Sequence, residues 1–168
     1  MTPGLTYRPN VGIALFNRAG RVLIARRLSD DGPEVIGPGF EWQMPQGGID
    51  AGETPAIAAF RELREETGVT SASLLGVHPD WLAYDFPPYS GPPHRLSGFR
   101  GQRQRWFALR FDGLDDEIDV TRSTENVPAE FSEWRWERLD RAAEIVAPFK
   151  RATYAEVARA FGRFSAAG

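Results

Sequence analysis

Across residues 11–16 every position except Gly12 is apolar, and Val22, Leu23 and Ile24 resume the run after Asn17-Arg18-Ala19-Gly20. Apolar runs of this length, broken by a turn-forming tetrad, predict a hairpin of two strands. Residues 29–39 are rich in glycine, proline and acids and read as a loop, ended by a short strand at 41–44. Gly47-Gly48 and Ala51-Gly52 then form a glycine-rich loop leading into a helix, with Thr54 or Glu53 at its N-cap, Pro55 in its first turn and Gly68 as its stop. Apolar segments at 74–77 and 81–84 predict two further strands, and residues 87–101 a second long loop. Alternation at 105–111 and 134–139 predicts two more strands, the latter with Trp134 and Trp136 on one face, and helices over 140–146 and 153–164 close the chain. Strands on both sides of a central helix make the expected fold class α+β, an α/β/α sandwich with a mixed sheet. No internal repeat and no boundary interrupts residues 1–168, which read as one domain.

A chain of 168 residues with 42% hydrophobic and 12% aromatic residues can bury one sizeable core. The absence of cysteine excludes a disulfide framework and a thiolate zinc site and suits the cytoplasm, the expected location. Any metal must sit on oxygen or histidine. Residues 1–10 lack the apolar core of a signal peptide, and no stretch approaches a membrane span, so no membrane partner is expected. A net charge of −3 argues against a broad basic surface for long nucleic acid, and DNA is not an expected partner. Small basic clusters do occur at Arg21, Arg26 and Arg27, at Arg100, Arg103 and Arg105, and at Lys150 and Arg151. Each could serve a phosphate chain or simply solvate an edge.

The chemistry concentrates on the central helix. At about 100° per residue, Glu62, Glu65 and Glu66 fall within an arc of about 100°, with Ala58 and Ala59 interleaved. Like charges at this spacing repel by a few tenths of a kcal/mol per pair, so the face calls for a cation or for water. Ala56, Phe60 and Leu63 gather on the other side and are expected to anchor the helix in the core. Arg61 stands four residues before Glu65 and can pair with it. Hard divalent cations take carboxylate oxygens and keep sites free for phosphate oxygens, so an acidic face beside a glycine-rich loop fits a metal-bridged polyphosphate. His78 and His94 lack metal-ligand spacing, and Ser97, Ser123 and Ser132 have no accompanying base, so nothing supports covalent nucleophile chemistry. The five tryptophans read mostly as core, with Trp42 and Trp81 near the expected site in sequence.

Gly47, Glu53 and the run Arg61-Glu62-Leu63-Arg64-Glu65-Glu66-Thr67-Gly68-Val69 together resemble a complete Nudix box. The resemblance implies hydrolysis of a phosphoric anhydride with Mg²⁺ or Mn²⁺, Glu62, Glu65 and Glu66 as metal ligands, and Glu53 in support. Tyr7-Arg8-Pro9-Asn10-Val11-Gly12-Ile13, Ala25-Arg26-Arg27, Trp42-Gln43-Met44-Pro45-Gln46-Gly47-Gly48, Gly101-Gln102-Arg103-Gln104-Arg105-Trp106-Phe107, Trp134-Arg135-Trp136 and Pro148-Phe149-Lys150-Arg151 are similar to the bacterial branch of RNA pyrophosphohydrolases, also called dinucleoside polyphosphate hydrolases. From that branch follow Glu130 as an additional catalytic and metal-binding carboxylate, and Arg8, Arg27, Gly47, Gly48, Phe149 and Lys150 as substrate contacts. Where the common form has proline directly before the glutamate, this chain reads Val127-Pro128-Ala129-Glu130. The implied substrates are a 5′-polyphosphorylated RNA end or a dinucleoside polyphosphate such as diadenosine tetraphosphate, acted on by a monomer. A nucleotide-binding module without turnover is the rival of a different class, and it would be marked by losses within the acidic box, of which there are none.

Overall fold

The computed structural model describes residues 5–122 and 128–165, so Ser123 and Val127 lie outside the described residues. Among the described residues eight strands form one mixed sheet: β1 (Thr6–Phe16), β2 (Val22–Arg27), β3 (Trp42–Gln43), β4 (Gln46–Gly48), β5 (Ala72–Val77), β6 (Leu82–Asp85), β7 (Phe99–Phe111) and β8 (Phe131–Glu137). Among the same residues the α-helices are α1 (Pro55–Thr67), α2 (Leu139–Ile145) and α3 (Arg151–Phe161).

The near-continuous apolar runs of β1 and β7 arise because these strands lie parallel, side by side, and are buried on both faces. Val11, Ile13, Leu15, Phe107, Leu109 and Phe111 face one core with Ala58, Ala59 and Leu63 of α1. Ala14, Phe16, Trp106 and Ala108 face the other, with Leu139 of α2 and Tyr154, Val157 and Phe161 of α3. The layers are therefore α1, sheet, and α2 with α3. Among the described residues no helix is long and apolar enough to cross a membrane.

The expected hairpin closes at only one register pair, Phe16 with Val22, above a turn in which Asn17 Oδ1 accepts from the Ala19 and Arg21 amides. Beyond it the strands part: β1 takes β7 and β4 as partners, whereas β2 pairs with β8 and β3. Local turn chemistry joins the two strands, but long-range pairing sets their neighbours. Both β1 and β7 also start earlier than their apolar runs, and Gly47-Gly48, expected in a loop, lies in β4. The paired residues Arg8 with Gln102 and Asn10 with Gln104 continue the strands as a polar ladder.

Helix α1 begins at Thr54, whose hydroxyl accepts from the Ile57 amide at 3.2 Å, with Pro55 next, and stops at Gly68 (φ 76°). Its buried face differs from the expected one. Ala58, Ala59, Leu63 and Thr67 are buried, whereas Phe60 is 37% exposed and Ala56 lies in solvent. The small alanines let α1 press against the sheet, so the side that carries Glu62 and Glu66 is the side that faces inward.

Candidate functional site

Pressing α1 inward brings its carboxylates to the wall of a 570 Å³ cavity. Glu62, Glu65, Glu66, Glu130, Arg8, Arg27, Gly47 and Gly48 all line it, with Asn10, Glu34, Gln43, Gln46 and Gln102 among the other lining residues. Glu130 arrives from the residue before β8, where its carbonyl accepts from the Leu28 amide at 2.9 Å. Glu130 lies 64 positions after Glu66 in the chain, and sheet pairing of β8 with β2 brings the two together.

Arg61 organises the acidic side. Its Nε donates to Glu53 Oε2 at 2.7 Å and its Nη2 to Glu53 Oε1 at 2.8 Å and to the Gly48 carbonyl at 2.8 Å. Its Nη1 donates to Glu62 Oε1 at 2.9 Å and Glu65 Oε2 at 3.1 Å. The expected Arg61–Glu65 pair is thus one edge of a larger hub. Glu53, which also accepts from the Asp50 amide at 3.0 Å, has its carboxyl held down at about 2, chiefly by the Arg61 hydrogen bonds.

The deeper carboxyls behave oppositely. Burial pushes Glu62 up to about 7, against the pull of Arg61. Glu66 is driven well above the usual carboxylate range by burial and then by the nearby Glu130 and Glu62, and its Oε2 is buried with no hydrogen-bond partner. Glu130 is also raised, burial first, with Asp31 adding repulsion. The glycines of β4 make room for this cluster: a Cβ at Gly47 would overlap the Glu62 carboxyl carbon, and one at Gly48 would overlap the Arg8 guanidinium. Among the described residues no three acidic or histidine side chains already stand as a ligand set. The donor chemistry nevertheless fits a hard cation: the groups are all carboxylate oxygens, and Glu66 Oε2 is buried without a hydrogen-bond partner beside them.

Of the two arginines that line the cavity, Arg8 donates from Nη1 to Gln102 Oε1 at 3.2 Å, and Arg27 from Nη2 to the Glu34 carbonyl at 2.7 Å. Lys150 departs from expectation. It is fully buried, donating to Glu34 Oε2 at 3.2 Å, Gln43 Oε1 at 2.9 Å and Gln46 Oε1 at 3.2 Å, and does not line the cavity. Phe149, half-buried against the Tyr84 ring at 5.7 Å between centroids, does not line it either. The reason is Glu34, a residue the pattern gave no cause to single out. Residues 29–39 dip into the fold and insert this carboxylate, which also accepts from the Tyr84 hydroxyl and from Gln102 Nε2 at 3.0 Å. Burial alone would raise Glu34, but Lys150, Tyr84 and Arg27 draw it below its ordinary value. Asp31 of the same loop pairs with His94 at 2.9 Å and Arg95 at 2.7 Å, tying the two long loops together at the cavity's rim. His78 is structural, buried against Phe161 with Nε2 at 3.0 Å from Glu156.

Fold and cavity define a class of protein: an α/β/α sandwich whose central helix turns a cluster of carboxylates into a cavity that two arginines also line. The chain belongs to the NUDIX family, whose domain model matches residues 6–160. Among its relatives are an RNA pyrophosphohydrolase of Azorhizobium caulinodans, 53% identical over 162 residues that cover 96% of this chain and 95% of the relative. One of Acidiphilium cryptum is 52% identical over 165 residues, covering 96% and 93%. The fold is shared with an E. coli dihydroneopterin triphosphate pyrophosphohydrolase (TM-score 0.62, 20% identity, 90% of this chain and 96% of the other). A C. elegans Ap4A hydrolase has it too (TM-score 0.57, 16% identity, 92% and 98%).

Proposed function

We propose that this chain is a divalent-cation-dependent pyrophosphohydrolase that removes pyrophosphate from the 5′-triphosphate end of RNA, or phosphate from a 5′-diphosphate end, leaving a 5′-monophosphate. The observation that carries this reading is the cavity lined by Glu62, Glu65, Glu66 and Glu130 together with Arg8 and Arg27. The names borne by relatives at about half identity supply the RNA substrate.

Glu62, Glu65, Glu66 and Glu130 would hold Mg²⁺ or Mn²⁺, with Glu53 and Arg61 fixing the first two carboxylates. A cation held by these residues would supply water activation at neutral pH and charge neutralisation for the phosphate and leaving oxygens. Arg8 and Arg27 bind the phosphate chain, their guanidinium groups preset by Gln102 and the Glu34 carbonyl. One water is consumed. Its oxygen joins the attacked phosphorus, one of its protons passes to the carboxylate cluster, and the anhydride oxygen leaves with the phosphate or pyrophosphate. The cluster takes that proton as a group, since its carboxyls are mutually coupled.

The deciding test is a competition of triphosphorylated short RNA against diadenosine tetraphosphate, read as kcat/KM. RNA is expected to be preferred; preference for the dinucleotide would replace the RNA assignment with asymmetric cleavage to ATP and AMP. Binding of both without product would leave only a binding module.

Titration gives a second expectation. Glu62 and Glu66 have folded-state values above the ordinary 4.5. Between the two values the unfolded chain binds fewer protons than the native one, so without cation this term of stability falls as pH rises from about 4.5 through about 7. A cation binds the deprotonated carboxylates. Saturating Mg²⁺ is therefore expected to raise Tm by about 5 °C or more near pH 8 and by much less near pH 5.5. Equal gains at the two pH values would argue against these carboxylates as the ligands.

A further inference from the structure

Not all of the sheet is covered by helices. Where β1, β7 and β6 lie side by side, alternation sends Arg8, Gln102 and Tyr84 toward the cavity and the polar network, and Tyr7, Arg103, Asp85 and Ala83 to the opposite face. There the α1 layer stops short, and Ala83, Asp85 and Trp81 are exposed, Trp81 to 37%. The Arg103 guanidinium lies 4.3 Å from the Trp81 ring centroid and that of Arg105 5.6 Å from it. Arg100 lies 4.7 Å over the Tyr7 ring and is neutralised by Asp85 at 2.9 Å. Arg103 and Arg105 have no such partner: among the described residues neither meets a carboxylate, and Arg105 donates only to the Pro79 carbonyl at 3.2 Å.

The face is continuous with the site. It adjoins the site from the α1 side: Arg105 pairs in register with Val11, which packs in one core with α1, the helix whose Glu62, Glu65 and Glu66 line the cavity, and Trp81 stands about two strand spacings, roughly 10 Å, from β1. An open sheet face with an exposed indole and unpaired guanidinium groups is a surface on which bases stack and phosphates are neutralised, without sequence preference. A rigid duplex would need a broader basic surface than a chain of net charge −3 offers.

Resting on the reading above that the substrate is a 5′-polyphosphorylated RNA, we infer that this face holds the single-stranded RNA leading away from the 5′ end. Trp81 is its stacking surface, and Arg103 and Arg105 are its phosphate contacts. The basic cluster at Arg100, Arg103 and Arg105 then divides into one arginine that shapes the sheet edge and two that meet the ligand.

The test uses the triple variant Trp81→Ala, Arg103→Gln, Arg105→Gln with two substrates, a triphosphorylated dinucleotide and a single-stranded RNA of about 20 nucleotides. Turnover of the dinucleotide is expected to stay at the wild-type value, which also reports an intact fold. For the long RNA kcat/KM is expected to fall about tenfold through KM, and its dependence on log salt to flatten by about 0.7 per lost phosphate contact. An unchanged ratio of long to short substrate overturns the inference. Fluorescence anisotropy with a 5′-monophosphorylated RNA of the same length needs no turnover. Wild-type protein should bind it about tenfold more tightly than the variant, and equal binding overturns the surface even if the reaction stands. If wild-type protein binds that RNA through these residues yet cleaves neither triphosphate, the assigned reaction fails and the surface survives. Should the triple variant lose dinucleotide turnover, Arg103→Gln, Arg105→Gln with Trp81 retained gives the same comparison.

Discussion

Glu66→Gln is expected to lower kcat on triphosphorylated RNA by about 10³-fold or more, with Tm in the absence of cation unchanged within a degree or two. Two features combine here. Glu66 Oε2 is buried without a partner, and the carboxyl is pushed well above its usual range by burial, Glu130 and Glu62. Burial and these neighbours therefore favour the neutral carboxyl over the carboxylate when no cation is bound, and an amide of the same shape replaces it at little cost to the fold. Only the ionised form can serve a cation or take a proton, so function is lost where stability is not. Glu62→Gln should behave alike, since its carboxyl is also lifted, to about 7. The Mg²⁺-dependent rise in Tm should shrink with each variant. Wild-type turnover by Glu66→Gln at saturating Mg²⁺ would sink the mechanism.

The acidic box was legible because its spacing is local: Glu62, Glu65 and Glu66 share a helix, and Thr54 and Gly68 mark its ends. Which way that helix faces was not. Lying away from the glutamates marks Ala56, Phe60 and Leu63 as the anchors, yet only Leu63 of these is buried, and the buried arc runs from Ala58 to Thr67 with Glu66 near its middle. Small residues decide helix approach as much as large ones do, and a buried carboxylate breaks the apolar pattern that would otherwise mark the inward face. The polar beginnings of β1 and β7 were hidden for a related reason. Arg8, Asn10, Gln102 and Gln104 alternate as a strand should, but with polar residues on the cavity side, so no apolar period announces them. Lys150 and Glu34 lie 116 positions apart, and nothing local to either one signals that they meet. Their pairing follows from how residues 29–39 fold, which sequence pattern does not reach.

Arg61 is the other residue whose loss should be felt most. A guanidinium has five N–H groups, and Arg61 directs five hydrogen bonds to Glu53, Gly48, Glu62 and Glu65. Arg61→Ala leaves three carboxylates without their shared cation and frees Glu53 from the constraint that holds it down at about 2. The expected result is a fall in kcat of about 10²-fold and a drop in Tm of roughly 5–10 °C. Saturating Mg²⁺ should recover part of the Tm, because the cation can offset the repulsion, but not the rate, because it cannot restore the tie between α1 and the Gly48 carbonyl. Arg61→Lys separates charge from geometry. A lysine keeps the positive charge but has three donors on one nitrogen and cannot span Glu53, Gly48 and Glu62 together. Its Tm should lie near the wild-type value and its kcat near that of Arg61→Ala. Full activity of Arg61→Lys would mean that charge alone suffices, and that the fork holding these carboxylates contributes nothing to the rate.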